Sequence, residues 1–198
     1  MPSEELSEER QSQIMEAAIA EFARRGFHAT RMEDIARASG LSKGALYLYY
    51  RGKDALIAAI MRTMLAWELR AVRAAVAGGG SATERLLAIA AMFVAEIERI
   101  AGAMPILLEF YAVAARQPAV RASLSASYVE FREVLAEVVR QGIASGEFRD
   151  TDPGAVAFTI IALMEGQGLL WAIVPQDDDW RAHGMAAVRL LLDGLRAR

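Results

Sequence analysis

Apolar residues recur with the spacing of an α-helix along almost the whole chain, and this pattern limits the possible folds more than any other feature. In residues 8–25, for example, Ile14, Ala18 and Phe22 lie one turn apart on a single helical face. No alternating stretch is long enough to indicate a strand. Alanine, the strongest helix former, accounts for 39 of the 198 residues. The sequence therefore predicts an all-α fold.

Glycine and proline mark where the predicted helices end and begin. Gly40 ends the second helix, and Pro118 and Pro153 stand at the first positions of two later ones. Thr30 and Glu33 have the spacing of a capping box at the start of the second helix. The nine predicted helices span residues 8–25, 31–39, 43–49, 53–77, 82–101, 105–115, 118–144, 153–174 and 178–196.

Charge is unevenly distributed along the chain. Residues 22–53 contain seven basic and two acidic residues, a net charge of +5, so the remainder carries −8 to give the overall −3. A small basic module on an acidic body is typical of a protein whose head binds phosphate groups. An ordinary solvated surface would have the same composition, and charge alone leaves both interpretations open.

The second and third helices have the spacing of a helix-turn-helix, because a short turn containing Gly40 joins them. The only two lysines, Lys43 and Lys53, fall at the first positions of helices, where the helix dipole disfavours a cation. A DNA phosphate beside each lysine would satisfy this arrangement. For Lys53, local pairing with Asp54 or Glu33 is the alternative.

The third helix has an apolar and a polar face. Leu46 and Tyr50, one turn apart, are predicted to face inward. The outward positions are Lys43, Gly44, Tyr47 and Leu48. Gly44 has no Cβ and lets the backbone approach base edges, while tyrosine hydroxyls can donate to phosphate oxygens. We therefore assign Tyr47 and Tyr49 to DNA contact.

Three segments of this region resemble the DNA-binding domain of the tetracycline-repressor (TetR) family. They are TRMEDIA at 30–36, ASGLSKGALYLYY at 38–50 and KDAL at 53–56, and the resemblance covers about residues 8–56. It implies that the third helix enters the major groove. Implied base contacts come from Lys43, Gly44 and Ala45. Implied phosphate contacts come from Thr30, Ser42, Tyr47, Tyr49 and Lys53.

The resemblance also implies two functional domains. Residues 1–52 would form a three-helix DNA-binding domain, and residues 53–198 a helical domain for effector binding and dimerisation. The sequence departs from the family at Tyr49, where many relatives have His, and at Gly52, where Ser, Thr or Asn often caps the fourth helix. The first change keeps a hydrogen-bonding tip, and the second weakens a cap by a few tenths of a kcal/mol.

The last two helices have the composition of a dimer interface. Helix 153–174 is apolar nearly all round, and the final helix has a continuous apolar stripe. Two helices from each of two subunits would form a four-helix bundle. The predicted interface residues are Gly166, Trp180, Val188, Leu191 and Leu195. The alternative is a monomer whose last helix covers its own core.

The middle of the chain is rich in methionine and aromatic residues, and in the TetR family such helices enclose an inducer cavity. The candidate pocket residues are Met64, Trp67, Met92, Phe93, Glu96, Phe110, Tyr128, Phe131, Met164 and Trp171. At helical spacing the same residue types can simply form core. A small lipophilic cation would suit a cavity that a carboxylate faces, and an uncharged apolar effector fits the composition equally well.

Several classes of protein are excluded or disfavoured. The chain has no Cys and only two His, which leaves almost no material for thiol chemistry or a transition-metal site. Gly78–Gly80 lacks the preceding strand and the Gly-Lys-Ser/Thr ending of a phosphate loop, so it is interpreted as a linker. We therefore expect no catalysis, no metal and no cofactor.

The sequence also favours a cytoplasmic protein without a membrane partner. MPSEELSEER at the N-terminus is acidic and polar, unlike a signal peptide. Residues 155–174 are long enough to cross a membrane, but Glu165 and Gln167 lie in the middle of the stretch, so we expect a helix buried on two sides.

These observations predict a ligand-responsive transcriptional regulator, of the repressor type, that binds a near-palindromic operator as a homodimer and is released by a small-molecule effector. The alternative is a helical ligand carrier or protein-interaction module that does not bind DNA. Salt separates the two, because binding through phosphates weakens steeply as salt rises. The effector, the operator and the choice between repression and activation stay open.

Overall fold

The computed structural model describes residues 4–99, 104–174 and 179–197. Within these ranges the chain forms nine α-helices and no strand, which confirms the predicted fold class. The helices are α1 (Glu4–Arg25), α2 (Met32–Ala38), α3 (Lys43–Tyr49), α4 (Lys53–Ala77), α5 (Ala82–Arg99), α6 (Met104–Arg116), α7 (Pro118–Ala144), α8 (Pro153–Ile173) and α9 (Trp180–Asp193).

Most of the predicted boundaries are confirmed. Helices α3, α4 and α7 have the bounds that the sequence predicted. Gly26 and Gly40 adopt φ values of +81° and +67°, the left-handed conformation that ends a helix without strain on a side chain. The predicted end of α5 at residue 101 and the predicted start of α9 at residue 178 lie outside the described residues. Helix α9 ends at Asp193 rather than 196 because Leu195 turns into the core.

The first of two compact units combines the chain up to Leu65 with α6 and the beginning of α7, up to Leu124. Its interior is formed by side chains from α1–α4 and from α6. The central buried residues are Ile14, Phe22, Ile35, Leu46, Leu56, Ile106, Phe110 and Val113. The unit includes α6 because α6 contributes to the same core as the three N-terminal helices. The division into a DNA-binding domain at 1–52 and an effector-binding and dimerisation domain at 53–198 stays a prediction.

The second unit contains the later part of α4, helix α5, most of α7, and helices α8 and α9. Helix α5 packs against both α8 and α9, and α8 packs against α9. The central buried residues are Leu86, Ile89, Leu135, Val139, Ile160, Val188 and Leu192. Apolar area buried in this way is the main favourable term in the stability of such a unit.

Helix α8 buries only one of its faces in this unit. Val156, Ile160 and Met164 are buried, whereas Phe158 and Ile173 are about 62% and 63% exposed. The expectation of a helix buried on two sides is therefore wrong for the single chain. Among the described helices, α8 is the one that length and composition would allow to cross a membrane, with a mean hydropathy of 1.7.

The turn between α7 and α8 is held by a carboxylate. Glu147 accepts hydrogen bonds from the backbone N–H groups of Ala82 and Thr83 at 2.7 and 2.8 Å, at the start of α5. Burial alone would raise the pKa of Glu147, but the hydrogen bonds from Thr83 and Ala82 outweigh it and lower the pKa. The contact fixes the position of Phe148, which fills the core beside Gly142.

Substitution of Gly142 by alanine should destabilise the protein. A Cβ there would lie 2.6 Å from Phe148 Cε2 and 2.8 Å from Ala82 Cβ, too close for either neighbour to accommodate without moving. We expect Gly142→Ala to lower the free energy of unfolding by about 1 to 3 kcal/mol, measured by urea denaturation. Gly44→Ala is the matched control, because no atom lies within 4 Å of the added Cβ. An equal decrease in both variants would contradict the packing argument.

Candidate nucleic-acid interface

Helix α3 is short, and its two ends are fixed by local interactions. Ser42 caps its start, with Oγ accepting the backbone N–H of Ala45 at 3.1 Å. Tyr50 ends it in an extended conformation, with φ −136° and ψ 120°. Leu46 is fully buried and Tyr50 nearly so, as predicted. These two side chains fix how α3 is rotated about its axis.

The opposite face of α3 is open to solvent. Lys43, Gly44, Tyr47 and Leu48 are all exposed, which confirms the predicted outward face. Leu48 is about 86% exposed, and space is open around Gly44. A helix with such a face can approach base edges in a major groove, and the exposed leucine suits contact with a thymine methyl group.

Lys43 has a protein partner in this structure. Its Nζ lies 2.5 Å from Glu33 Oε1 on α2, and 5.9 Å from the centre of the Tyr47 ring. Hydrogen bonding between them lowers the pKa of Glu33 and raises the pKa of Lys43, so both stay ionised. The unfavourable position of a cation at the start of α3 is thus offset by a carboxylate on the preceding helix.

The predicted capping box at Thr30 and Glu33 is wrong. Helix α2 begins at Met32, and the backbone N–H of Arg31 donates to Asp34 Oδ2 at 3.0 Å. Asp34 therefore accepts the backbone hydrogen bond at the start of α2 that was predicted for Glu33. Glu33 precedes Asp34 by one residue and points in a different direction from the helix axis, which is why its carboxylate can reach Lys43.

Lys53 is bound to backbone carbonyls rather than to a carboxylate. Its Nζ donates to the carbonyl oxygens of Phe27 and His28 at 2.6 and 3.2 Å, and it lies 4.6 Å from the centre of the Phe27 ring. Asp54, its proposed alternative partner, accepts from Gln117 Nε2 at 2.6 Å. An ammonium group has three donors, so one of the three stays available for a phosphate.

The remaining predicted DNA contacts differ in accessibility. Thr30 is buried, and its hydroxyl donates to Gly26 O at 2.8 Å. Tyr49 is half-buried and packs against the core of the first unit. Ser42 is exposed, and Ala45 is half-buried. The structure therefore brings Ser42, Lys43, Gly44 and Tyr47 together at the surface and places Thr30 beneath it.

Two basic residues that sequence reasoning did not assign to DNA lie close to α3 in the chain and border an open groove. Arg31 and Arg51 line this groove, which has a volume of about 670 Å³, together with Lys53. In the sequence, both residues belong to the basic segment 22–53, which indicated phosphate binding. The sequence does not distinguish them from the other arginines of that segment.

The candidate pocket residues are divided between the two units. Phe110 is buried in the core of the first unit, and Met64 packs against that core. In the second unit, Met164 is buried, and Met92, Phe93 and Phe131 pack around the core. Tyr128 donates to Glu165 Oε1 at 2.6 Å.

Two further pocket candidates of the second unit contact Arg99. Trp67 is half exposed, and the guanidinium of Arg99 lies 5.8 Å from the centre of its ring. Glu96 accepts hydrogen bonds from Arg99, one of them at 2.7 Å. Among the residues that the structure describes, no group of three or more acids and histidines could hold a metal ion.

The predicted dimer residues also fall into two sets. Val188 and Leu195 are buried in the core of the second unit, and Leu191 packs against it, so their side chains point into their own subunit. Gly166 and Trp180 border a mostly apolar groove of about 620 Å³ between α8 and α9. The candidate pocket residue Trp171 lines the same groove, with its ring centre 6.0 Å from that of Trp180.

Comparison with known proteins finds matches in both units. Residues 14–60 match the family described as bacterial regulatory proteins of the TetR family, and residues 82–197 match the C-terminal domain of BetI-type transcriptional repressors. The transcriptional repressor KstR2 of Mycobacterium tuberculosis is 30% identical over 145 residues, covering 71% of this chain and 70% of that protein.

Solved structures share the whole fold. A TetR transcription regulator from Haloarcula marismortui has a TM-score of 0.86 at 20% identity, covering 96% of this chain and 99% of that one. A transcriptional regulator from Saccharomonospora viridis in complex with choline has a TM-score of 0.83 at 21% identity, covering 96% and 100%. With both family models matched and the exposed face of α3 in place, the chain belongs to the TetR family of DNA-binding transcriptional regulators.

Proposed function

We propose that this regulator is a repressor that binds a near-palindromic operator as a homodimer and leaves it when a small-molecule effector binds. The observation that carries the proposal is the exposed face of α3, held on a rigid core by Leu46 and Tyr50. The proposal includes a cytoplasmic location and no catalytic activity.

DNA reading by α3 is an exchange of partners at Lys43. In the free protein its ammonium pairs with Glu33 at 2.5 Å, and in the complex a base acceptor would replace that carboxylate. Glu33 thereby keeps Lys43 from binding any anion nearby. The exchange therefore favours DNA sites at which Lys43 can reach an acceptor atom of a guanine. A phosphate, which offers only its charge, is a poorer replacement for Glu33.

Exposed apolar side chains support a dimer through α8 and α9. Phe158, Leu170 and Ile173 on α8 and Leu190 on α9 are all more than half exposed. Val188 and Leu195 belong to the core of the second unit, so we propose the exposed set as the dimer face in their place. Such a bundle would hold two copies of α3 about 34 to 36 Å apart, or a multiple of that.

Acidic residues in the second unit support a cationic effector. Burial, together with the nearby negative charges of Glu165 and Glu96, raises the pKa of Glu68 to about 7. A cation close to these three carboxylates would relieve their mutual repulsion. The regulator from Saccharomonospora viridis that shares this fold is in complex with choline, a quaternary ammonium ion, and this supports the same class of effector here.

Helix α4 offers a route from the effector to DNA. It carries Lys53 at its first residue and Glu68 fifteen residues later in the chain. An effector that binds more tightly to a conformer with displaced recognition helices would shift the dimer toward that conformer and lower operator affinity. The hydrogen bonds from Lys53 to Phe27 and His28 would change with any movement of α4.

Lys43→Ala should weaken base discrimination. With an operator duplex selected from a random pool, we expect the variant to lose about 1 to 3 kcal/mol of preference at one base pair of each half-site. Dissociation constants for the selected duplex and its single-base variants measure this loss. Glu33→Gln is the matched partner variant, and it should strengthen binding to every duplex because Lys43 is released. An equal decrease in the affinity of Lys43→Ala for selected and random DNA would contradict the base contact.

A charge on the proposed dimer face should separate the subunits. We expect Ile173→Glu and Leu190→Glu to sediment with the mass of one 21.6 kDa chain at concentrations where the wild type has twice that mass. Val129→Glu is the control, since Val129 is also more than half exposed but lies on α7. A monomeric wild type, or dissociation by Val129→Glu to the same extent, would overturn the proposed face.

The stability difference between Glu68→Gln and the wild type should depend on pH. The carboxyl of Glu68 binds its proton more tightly in the folded state, so its contribution to stability falls as pH rises from about 4.5 to about 7. We expect Glu68→Gln to gain up to about 3 kcal/mol relative to the wild type between about pH 4.5 and pH 8. Urea denaturation at both pH values measures the gain, with the exposed Glu16→Gln as control. A constant difference would show that Glu68 titrates normally.

A further inference from the structure

The two lysines assigned to DNA are both engaged within the protein. Lys43 pairs with Glu33 at 2.5 Å, and Lys53 donates to two backbone carbonyls at 2.6 and 3.2 Å. Any DNA contact from them has to compete with these partners or use the donor that is left. Other cations of the first unit can therefore add to the attraction for the DNA backbone.

Arg31 and Arg51 are the arginines nearest to α3 along the chain that form no ion pair within 4.0 Å among the described residues. Both are exposed. The charge of Arg31 still lowers the pKa of the neighbouring carboxyls of Glu33 and Asp34. Other arginines of the basic segment do form ion pairs. Arg25 and Arg37, for example, both pair with Asp34, at 3.2 and 3.7 Å.

Arg31 and Arg51 line the same groove. It is open, has a volume of about 670 Å³, and is bordered by three cationic side chains, those of Arg31, Arg51 and Lys53. Its one carboxylate, Asp54, accepts a hydrogen bond from Gln117 at 2.6 Å. The groove, which we call the arginine groove, therefore has a net charge of +2, three cations less one carboxylate.

The position of the arginine groove relates it to the helix-turn-helix. Arg31 immediately precedes α2, and Arg51 lies two residues after the end of α3. The groove thus contains the residue before the first helix of the motif and a residue just after its second. A guanidinium group presents a planar set of donors that matches two oxygens of one phosphate, which a single ammonium cannot do.

We propose that the arginine groove binds a phosphate of the operator backbone beside α3, with Arg31 and Arg51 as its donors. The inference rests on the DNA binding described above and adds two contacts that fix the register of α3 on the duplex. Because phosphates carry no base identity, these contacts raise affinity for all duplexes by the same factor. Lys53 completes the site with the one donor that the carbonyls of Phe27 and His28 leave free.

The test is a salt titration of binding by the full-length protein to two duplexes, one selected from a random pool and one of random sequence. Arg31→Gln and Arg51→Gln should each reduce the slope of log K against log salt by about 0.9 for every phosphate that is no longer neutralised, or about 1.8 in a dimer. The reduction should be equal on both duplexes. Arg51→Lys, which keeps the charge, should restore most of the slope.

Arg62→Gln is the matched control, because Arg62 is an exposed arginine of the same unit that has no ion pair among the described residues and does not line the groove. It should leave the slope unchanged, and thermal unfolding should show that all variants fold. Unchanged slopes for Arg31→Gln and Arg51→Gln, or an equal change for Arg62→Gln, would overturn the groove while wild-type DNA binding stands. A wild type that binds neither duplex at about 50 mM salt, where phosphate contacts are strong, would overturn the groove and the proposed function together.

Discussion

The buried contacts of Leu46 and Tyr50 determine what α3 can do. A seven-residue helix does not persist on its own in water, so its orientation depends on the core beneath it. That core includes Ile106, Phe110 and Val113 of α6, which the chain reaches long after the helix-turn-helix is complete. The orientation of α3 consequently depends on the first unit as a whole.

The basic residues of segment 22–53 differ in how strongly other groups of the protein engage them. Lys43 pairs with a carboxylate and Lys53 with carbonyl groups, whereas Arg31 and Arg51 form no ion pair within 4.0 Å among the described residues. The proposed base contact from Lys43 is therefore restrained in the free protein, whereas the proposed phosphate contacts from Arg31 and Arg51 have no ion pair to break. This difference suits a protein that first binds DNA of any sequence through its phosphates. The base contact would form afterwards, when Lys43 leaves its carboxylate partner.

The second unit has an exposed apolar helix face and a group of acidic side chains, and its sequence alone does not show where either lies. Helix α8 is apolar on both sides, but only the side with Val156 and Met164 enters the core. The opposite side leaves Phe158 and Ile173 exposed, an arrangement typical of a helix that is covered by another chain. Acidic side chains occur in the same unit, and the raised pKa of Glu68 shows that burial there acts on a charged group.

Local features of this protein could be predicted from its amino-acid order, whereas contacts between distant residues could not. Helix boundaries at Lys43, Lys53 and Pro118, the left-handed Gly40 and the inward face of α3 depend on neighbours within one or two turns, and all are confirmed. Long-range pairs such as Lys53 with Phe27, 26 residues apart, form only when the helices pack, and periodicity carries no information on them. The burial of Val188 could not be predicted for the same reason. A helix with apolar residues on several sides can turn any of these sides inward. Packing of α9 against α5 determines which side is buried.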